Sequence, residues 1–394
     1  MRPDKIINES RRFDPRQFFY SRTDRRGVIR GGNRLFFEVS GYGPDALIGA
    51  PHKVIRHPDM PRGVFHLLWQ TIQANEPMGA FVKNLARDGR YYWVFATVLP
   101  LDDGYLSVRL GAQGPLFDKT QAIYARMLRA EAEGMTPEAS GQLLLRELAA
   151  QGYADYQAYF ADLLMQHLGD AQPASVEAAR LGALHKSLVS VTEARGALTE
   201  TLRTLYLIPT NMRILASRLE PSGGPVSAIS DSYKRAAAEL MARLNGGGGT
   251  SGHRAPNDSG ALVGTALIPI AVAGLLRLAA AQFTGGAPVA GVDAAQENVI
   301  LNGLAADLEA ASTSSTDRLM QSVRQMSREA EHIKRLMAGL DQIRILGEVE
   351  SGRLRNSDGG LAAIMAQLTS FHGQIHARLS VMSNVAARMQ SGMT

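Results

Sequence analysis

The chain has 394 residues, 45% hydrophobic and 20% charged, which is too long for one core and too apolar for a disordered protein. Its formal net charge of +5, with no stripe of Lys/Arg on a reading helix, gives no footing for nucleic acid. The absence of cysteine excludes disulfides, thiolate-held metals, iron–sulfur clusters and a cysteinyl–flavin adduct, and suits a reducing compartment.

Residues 1–16 read as an N-terminal cap with no apolar run of the secretory kind. The basic residues Arg11, Arg12, Arg16, Arg22, Arg25, Arg26, Arg30 and Arg34 are scattered over more than one element, as on solvated faces and strand ends. Across 17–112, aromatic and β-branched residues alternate between glycine turns. Phe18-Phe19-Tyr20-Ser21-Arg22-Thr23 and Val28-Ile29, joined by Asp24-Arg25-Arg26-Gly27, predict two strands. Short helices fit 33–39, 44–48 and 61–74. Three more strands follow at 80–85, 91–99 and 104–110, separated by Asp88-Gly89 and Asp102-Asp103-Gly104. The fold class is therefore α+β: a five-stranded antiparallel sheet with flanking helices and a pocket between them, followed by a long all-α region.

From about 115 onward the apolar period changes from two to 3.6. A helical linker domain at 113–172 is broken at Gly134 and Gly152 and ends in the hinge Asp170-Ala171-Gln172-Pro173. The region 173–394 carries three seams at 3/4 spacing. The first runs through Leu181, Leu188, Val191, Leu198, Leu202, Met212 and Leu219, interrupted at Arg195 and Pro209. The second runs from Leu319 to Ile343 and the third from Leu361 to Met389. Helices with one apolar stripe must pack as a bundle, a coiled coil or a dimer. Residues 245–259 read as a flexible Gly-rich linker and 285–291 as a loop. The longest uncharged apolar stretch, 261–276, carries Pro269 and is shorter than the ~20 residues that span a bilayer. It predicts a buried helix, and the chain reads as cytoplasmic with no membrane span.

The most informative residues lie between 49 and 93. They read Gly49-Ala50-Pro51-His52-Lys53-Val54-Ile55-Arg56-His57-Pro58-Asp59-Met60-Pro61, then Trp69, then Asn75-Glu76-Pro77-Met78-Gly79-Ala80-Phe81-Val82-Lys83-Asn84, then Arg87-Asp88-Gly89-Arg90-Tyr91-Tyr92-Trp93-Val94. With Asn33-Arg34-Leu35-Phe36 and Val39-Ser40-Gly41-Tyr42 upstream, this pattern closely resembles the PAS domain of aerotaxis receptors over 17–112. The resemblance implies a sensor that holds FAD non-covalently and reports redox state or oxygen-linked electron flow. Its matching positions imply flavin contacts at Asn33, Arg56, His57, Asp59, Trp69 and Asn84. Amides supply donors and acceptors for the ring edge, Trp69 a wall, and Arg56 a partner for phosphate or for Asp59. Each polar candidate is equally readable as scaffold. Met78 stands where many of that family have Trp. A haem with His52, His57 or His66 as axial ligand is the lesser alternative.

The segment from Thr210 to Glu220 resembles the hairpin tip of methyl-accepting chemotaxis proteins, and Gly224 to Ser230 resembles the start of their return helix. Pro221-Ser222-Gly223 departs from that family where it meets its kinase. The resemblance implies a divergent chemoreceptor-like signalling region at 173–394. Its expected partners are a second copy of the chain, the chemotaxis histidine kinase and the coupling protein. Catalysis is not expected. Gly246 to Gly249 lack the Lys of a phosphate loop, and no Gly-rich turn for a nicotinamide cofactor follows a strand. His185 lacks the acidic neighbour and downstream proline of a phospho-accepting helix. His372 and His376 stand at i, i+4 without an intervening Glu or a third ligand, and predict helix surface rather than a metal site. Two functions fit: a redox- or oxygen-sensing transducer of the aerotaxis type, or a non-catalytic PAS adaptor with an empty or metabolite-binding pocket that acts on a non-chemotaxis partner.

Overall fold

The computed structural model describes residues 3, 5–171, 175–205, 208–218, 224–245, 259–283, 289–353 and 360–392. Five strands form between residues 19 and 111: β1 (Phe19–Asp24), β2 (Ile29–Gly32), β3 (Met78–Leu85), β4 (Tyr91–Leu101) and β5 (Gly104–Gly111). Aspartates close the turns. Asp24 accepts from the backbone N–H of Arg26 and Val28 at 2.9 and 3.0 Å, and Asp88 accepts from that of Arg90 at 3.1 Å. The strands pair in the order β2-β1-β5-β4-β3, antiparallel throughout. The expected α+β sheet is thus present, its strands differing from the predicted ones by one to three residues at the ends.

Between β2 and β3 lie α1 (Arg34–Ser40), α2 (Pro44–Leu47), a 3-10 helix (His52–Ile55) that the sequence pattern does not signal, and α3 (Arg62–Gln73). After the sheet come α4 (Pro115–Ala132), α5 (Pro137–Ala150), α6 (Tyr156–Ala171), α7 (Val176–Leu205), α8 (Ile208–Arg218), α9 (Gly224–Asn245), α10 (Ser259–Ala281), α11 (Ala294–Arg353) and α12 (Leu361–Gly392). The chain forms two compact units: Met1–His185 with Gly260–Thr316, and Lys186–Ser259 with Asp317–Thr394.

In the first unit, one face of the sheet meets α1, α2, the 3-10 helix and α3. Ile29, Phe36, Phe37, Tyr42, Leu47, Val54 and Ile55 form one core cluster there. On the other face Phe81, Trp93 and Phe95 meet Phe117 of α4 and Phe160 and His167 of α6 through ring contacts of 4.4–6.4 Å. Helices α3 and α5 cross backbone to backbone. A Cβ at Gly63 would sit 2.5 Å from the Gly141 nitrogen, so glycine is required for that approach. Helix α10 buries Leu267, Ile268, Ala271, Val272, Leu275, Leu276 and Ala279, as expected for the 261–276 stretch. No helix among the described residues is long and apolar enough to cross a membrane.

The second unit is helical throughout its described residues except the turn residue Gly360. Its core joins the three predicted seams: Leu198, Leu202 and Met212, then Ala330, Ile333, Met337 and Leu340, then Leu361, Leu368, Ile375, Leu379 and Met382. Helices α8 and α9 pack on each other, and the Ser230 hydroxyl donates to the Pro209 carbonyl at 2.7 Å. Pro221-Ser222-Gly223 lies outside the described residues, as do most of the 245–259 linker, most of the loop expected at 285–291, and the Gln172-Pro173 half of the hinge.

Candidate functional site

A cavity of about 420 Å³ lies between the sheet and the helices on its first face. Strand alternation supplies one wall, because residues two apart share a face: Ser21 and Thr23 from β1, Val82 and Asn84 from β3, Ala96 and Val98 from β4, Tyr105, Ser107 and Arg109 from β5. Helix α3 supplies the opposite wall with Phe65, Leu68, Trp69 and Ile72, spaced i, i+3, i+4, i+7 along one helix face. The 3-10 helix adds His52, Lys53 and, at its end, Arg56.

The polar end of this cavity centres on Arg109. Its guanidinium donates to the Ser21 hydroxyl at 2.9 Å and to His52 Nε2 at 2.8 Å, and lies 5.7 Å from the Phe36 ring centroid. No carboxylate among the described residues pairs with it, and burial pushes its pKa down to about 10. Because Nε2 accepts, the proton of neutral His52 sits on Nδ1. Burial, then the charges of Arg109 and Arg56, hold this imidazole well below its ordinary pKa. The Ser107 hydroxyl lines the same cavity, buried and without a partner. Trp69 meets Tyr105 edge to face at 5.3 Å, and the Arg56 guanidinium lies 3.3 Å from the Phe65 ring centroid.

Of the six residues predicted as contacts, Arg56, Trp69 and Asn84 line this cavity. Asn33, His57 and Asp59 are not among its lining residues. The Asn33 side chain bonds backbone: it accepts from the N–H of Phe36 at 3.1 Å and of Tyr20 at 3.0 Å, and donates to the Phe18 carbonyl at 2.6 Å. His57 is buried, and its Nδ1 accepts from the Asp59 N–H at 3.1 Å. Burial and then Lys83 lower the His57 pKa, against Asp59. The exposed Asp59 carboxylate pairs with Lys83 at 3.0 Å. Met78 is fully buried in β3 and does not line the cavity. For haem, His66 is exposed and His57 lies off the cavity, while His52 Nε2 is already bonded to Arg109.

Sequence reading missed Ser21, Phe65, Ser107 and Arg109, and named His52 only as a haem ligand. Their signal was the same-face spacing of Tyr105, Ser107 and Arg109, and the i, i+4 step from Phe65 to Trp69. The basic N-terminal run is largely paired at the surface, for example Arg11 with Asp88 at 2.9 Å and Arg30 with Asp24 at 2.8 Å. Arg22 departs from that expectation, being mostly buried and paired with Glu297 at 3.0 Å. The helix-surface reading holds for His376 alone. His372 is buried between Tyr233, whose hydroxyl meets Nε2, and Asp341, 2.6 Å from Nδ1.

Residues 32–108 match the family model described as PAS fold. The aerotaxis receptor of Escherichia coli is 37% identical over 109 residues, 26% of this chain and 22% of the receptor. The bacterioopsin transcriptional activator of Halobacterium salinarum is 26% identical over 92 residues, 23% of this chain and 14% of its own. Among solved structures, a fungal LOV domain photoreceptor aligns at TM-score 0.22 and 20% identity, covering 29% of this chain and 84% of that one. The blue-light activated histidine kinase of Erythrobacter litoralis aligns at TM-score 0.25 and 14% identity, over 44% and 69%. The chain therefore matches about a fifth or less of the length of these curated relatives. By its sequence match the segment 32–108, which carries β3, β4 and most of β5, is a PAS domain.

Proposed function

We propose that the cavity binds FAD and that the chain is a non-catalytic redox- or oxygen-sensing transducer of the aerotaxis type, with its second unit as the output. The observation that carries this reading is the buried Arg109 guanidinium, without a carboxylate partner among the described residues, facing an aromatic-walled cavity of about 420 Å³. Such a charge calls for an electron-rich ligand. Volume and composition fit a planar heteroaromatic ring, since pockets for such ligands run to roughly 300–1,000 Å³ with apolar walls and few polar groups. Trp69, Phe65, Leu68 and Ile72 would flank the ring, while Asn84 and the unpaired Ser107 hydroxyl would meet its polar edge. Arg56 and Lys53 add positive charge for phosphates, and His52 stays neutral with its proton on Nδ1. A bound flavin would supply the reversible electron uptake that these residues sense.

The proposed output resembles the chemoreceptor tip in α8 and α9, and its proposed partners are a second copy of the chain, the chemotaxis histidine kinase and the coupling protein. An absorption spectrum of the purified chain is the direct test. A yellow protein, or one that turns yellow with added FAD, is expected; a colourless protein that takes up no flavin removes the cofactor from the proposal. Capture of the kinase and coupling protein tests the output separately, and capture of neither favours an adaptor acting on another partner.

A further inference from the structure

Strand β1 works on two faces. Ser21 and Thr23 face the cavity, whereas Tyr20 and Arg22 face the opposite side, where the start of α11 sits. There Glu297, in the first turn of α11 and 3% exposed, receives the Tyr20 hydroxyl on Oε2. It also receives Arg22 Nη2 at 3.0 Å and Arg22 Nε at 3.3 Å. Gly31, opposite Arg22 in β2, lets this carboxylate in: a Cβ there would lie 2.6 Å from Glu297 Oε1. Phe283, just beyond α10, packs edge to face on Tyr20 at 5.3 Å. Asp293 accepts from the N–H of Ala295 at 3.0 Å and of Gln296 at 3.1 Å, which fixes where α11 begins. Helix α11 then runs unbroken to Arg353, contributing Ala330, Ile333, Met337 and Leu340 to the second unit's core.

We propose that the Tyr20–Arg22–Glu297 contact is the relay through which occupancy of the cavity reaches α11. This rests on the sensory reading of the cavity given above. Ser21 lies between the two gripping residues and accepts from Arg109 on the cavity side. A ligand that draws the Arg109 guanidinium towards itself removes that bond, frees the middle of β1, and loosens the grip of its neighbours on Glu297. The contact is thus a latch, closed without ligand and opened by it. A carboxylate desolvated between two donors suits the task, because it holds tightly in one geometry and is costly when half released, so the contact has two states rather than a continuum.

Amide exchange of the full chain, with and without FAD, tests this. FAD is expected to speed exchange across residues 297–303 by about fivefold or more, the usual lower range of coupling between sites. In Glu297→Gln and Tyr20→Phe, exchange there should be fast already and FAD should add nothing. By reciprocity those variants should bind FAD tighter by the same factor. Gly31→Ala, which wedges the latch without removing any of its polar groups, should behave alike and serves if the other two fail to fold. FAD uptake with unchanged exchange at 297–303 overturns the relay alone. So do variants that loosen α11 yet keep wild-type FAD affinity and the FAD-dependent change, since an anchor with no signalling role behaves that way. No FAD uptake by the wild-type chain overturns the sensory reading, and the relay with it.

Discussion

Arg109 carries a conflict between stability and binding that no neighbouring side chain resolves. Its pKa, brought down to about 10 by burial, corresponds to roughly 3 kcal/mol of disfavoured charge, borne in full at neutral pH, where the group is protonated both folded and unfolded. Arg109→Met keeps volume and removes the charge, while Ser21 and His52 Nε2, 3.5 Å apart, can pair with each other. Without ligand this variant is expected to gain about 1–3 kcal/mol in urea unfolding followed by tryptophan fluorescence, and to bind FAD at least about tenfold more weakly. A loss of stability would mean that the charge is already compensated inside the cavity. Asn33 tests the opposite assignment. Asn33→Ala removes a helix cap and strands the Tyr20 N–H, so about 2–3 kcal/mol should be lost in the same assay with FAD affinity little changed. The two residues also mark the limit of what local pattern discloses. Asn33, Arg56, Trp69 and Asn84 stand out by family spacing, yet whether a polar side chain faces a ligand or a backbone is decided by its rotamer and strand face. Arg109 reads in sequence as one more strand arginine, because only the folded sheet turns it inward and, among the described residues, leaves it without an acid.

At the scale of elements, periodicity disclosed nearly every strand and helix, because a half-buried strand and an amphipathic helix must each show an apolar face at their own period. What it could not disclose is which surface each face covers. The seam read from the sequence begins only at Leu319, and the structure extends its helix back to Ala294 and brings Glu297 onto β1. Polar residues inside the seams are equally silent. Tyr233 of α9, Asp341 and Arg344 of α11, and His372 and His376 of α12 form one network, with Asp341 Oδ2 3.0 Å from His376 and Oδ1 3.5 Å from Arg344. Burial lowers the His372 pKa despite Asp341 beside it. The sign follows: as pH falls below about 6.5 the unfolded chain takes up the proton first, so the second unit loses up to about 1.4 kcal/mol per pH unit until folded His372 also titrates. Asp341, itself held below its ordinary pKa, adds no further loss in that range, since its contribution fades only below about pH 4. In His372→Gln the amide can still accept from Tyr233, and the slope between pH 6.5 and 5 should flatten by about one proton. An unchanged slope would place the titration elsewhere.

At the scale of the molecule, the chain offers two probes that see different parts of it. Both tryptophans, Trp69 and Trp93, belong to the first unit, whereas helical circular dichroism reports both units. Each unit has its own core: aromatic rings around the sheet in one, and the joined seams of Leu198, Met212, Met337, Leu368 and Leu379 in the other. Unfolding in urea should therefore give two steps, only one of them visible in fluorescence. Helix α11 makes this a demanding prediction, because it contributes to both cores without a break. A helix can nonetheless melt part-way, since the costly step is nucleation and each further residue adds or removes little. Residues 294–316 are held through buried Glu297, Leu301 and Ala305, and should unfold with the sheet. Residues 317–353 are held by Ala330, Ile333, Met337 and Leu340, and should persist with the second core. FAD at about one hundred times its dissociation constant should raise the fluorescence step by about 2.7 kcal/mol and leave the dichroism-only step in place. One shared step that moves as a whole with FAD would mean that α11 welds the two cores into a single cooperative body. A ligand in the cavity would then act on the output by stabilising everything at once rather than by releasing one end of a helix.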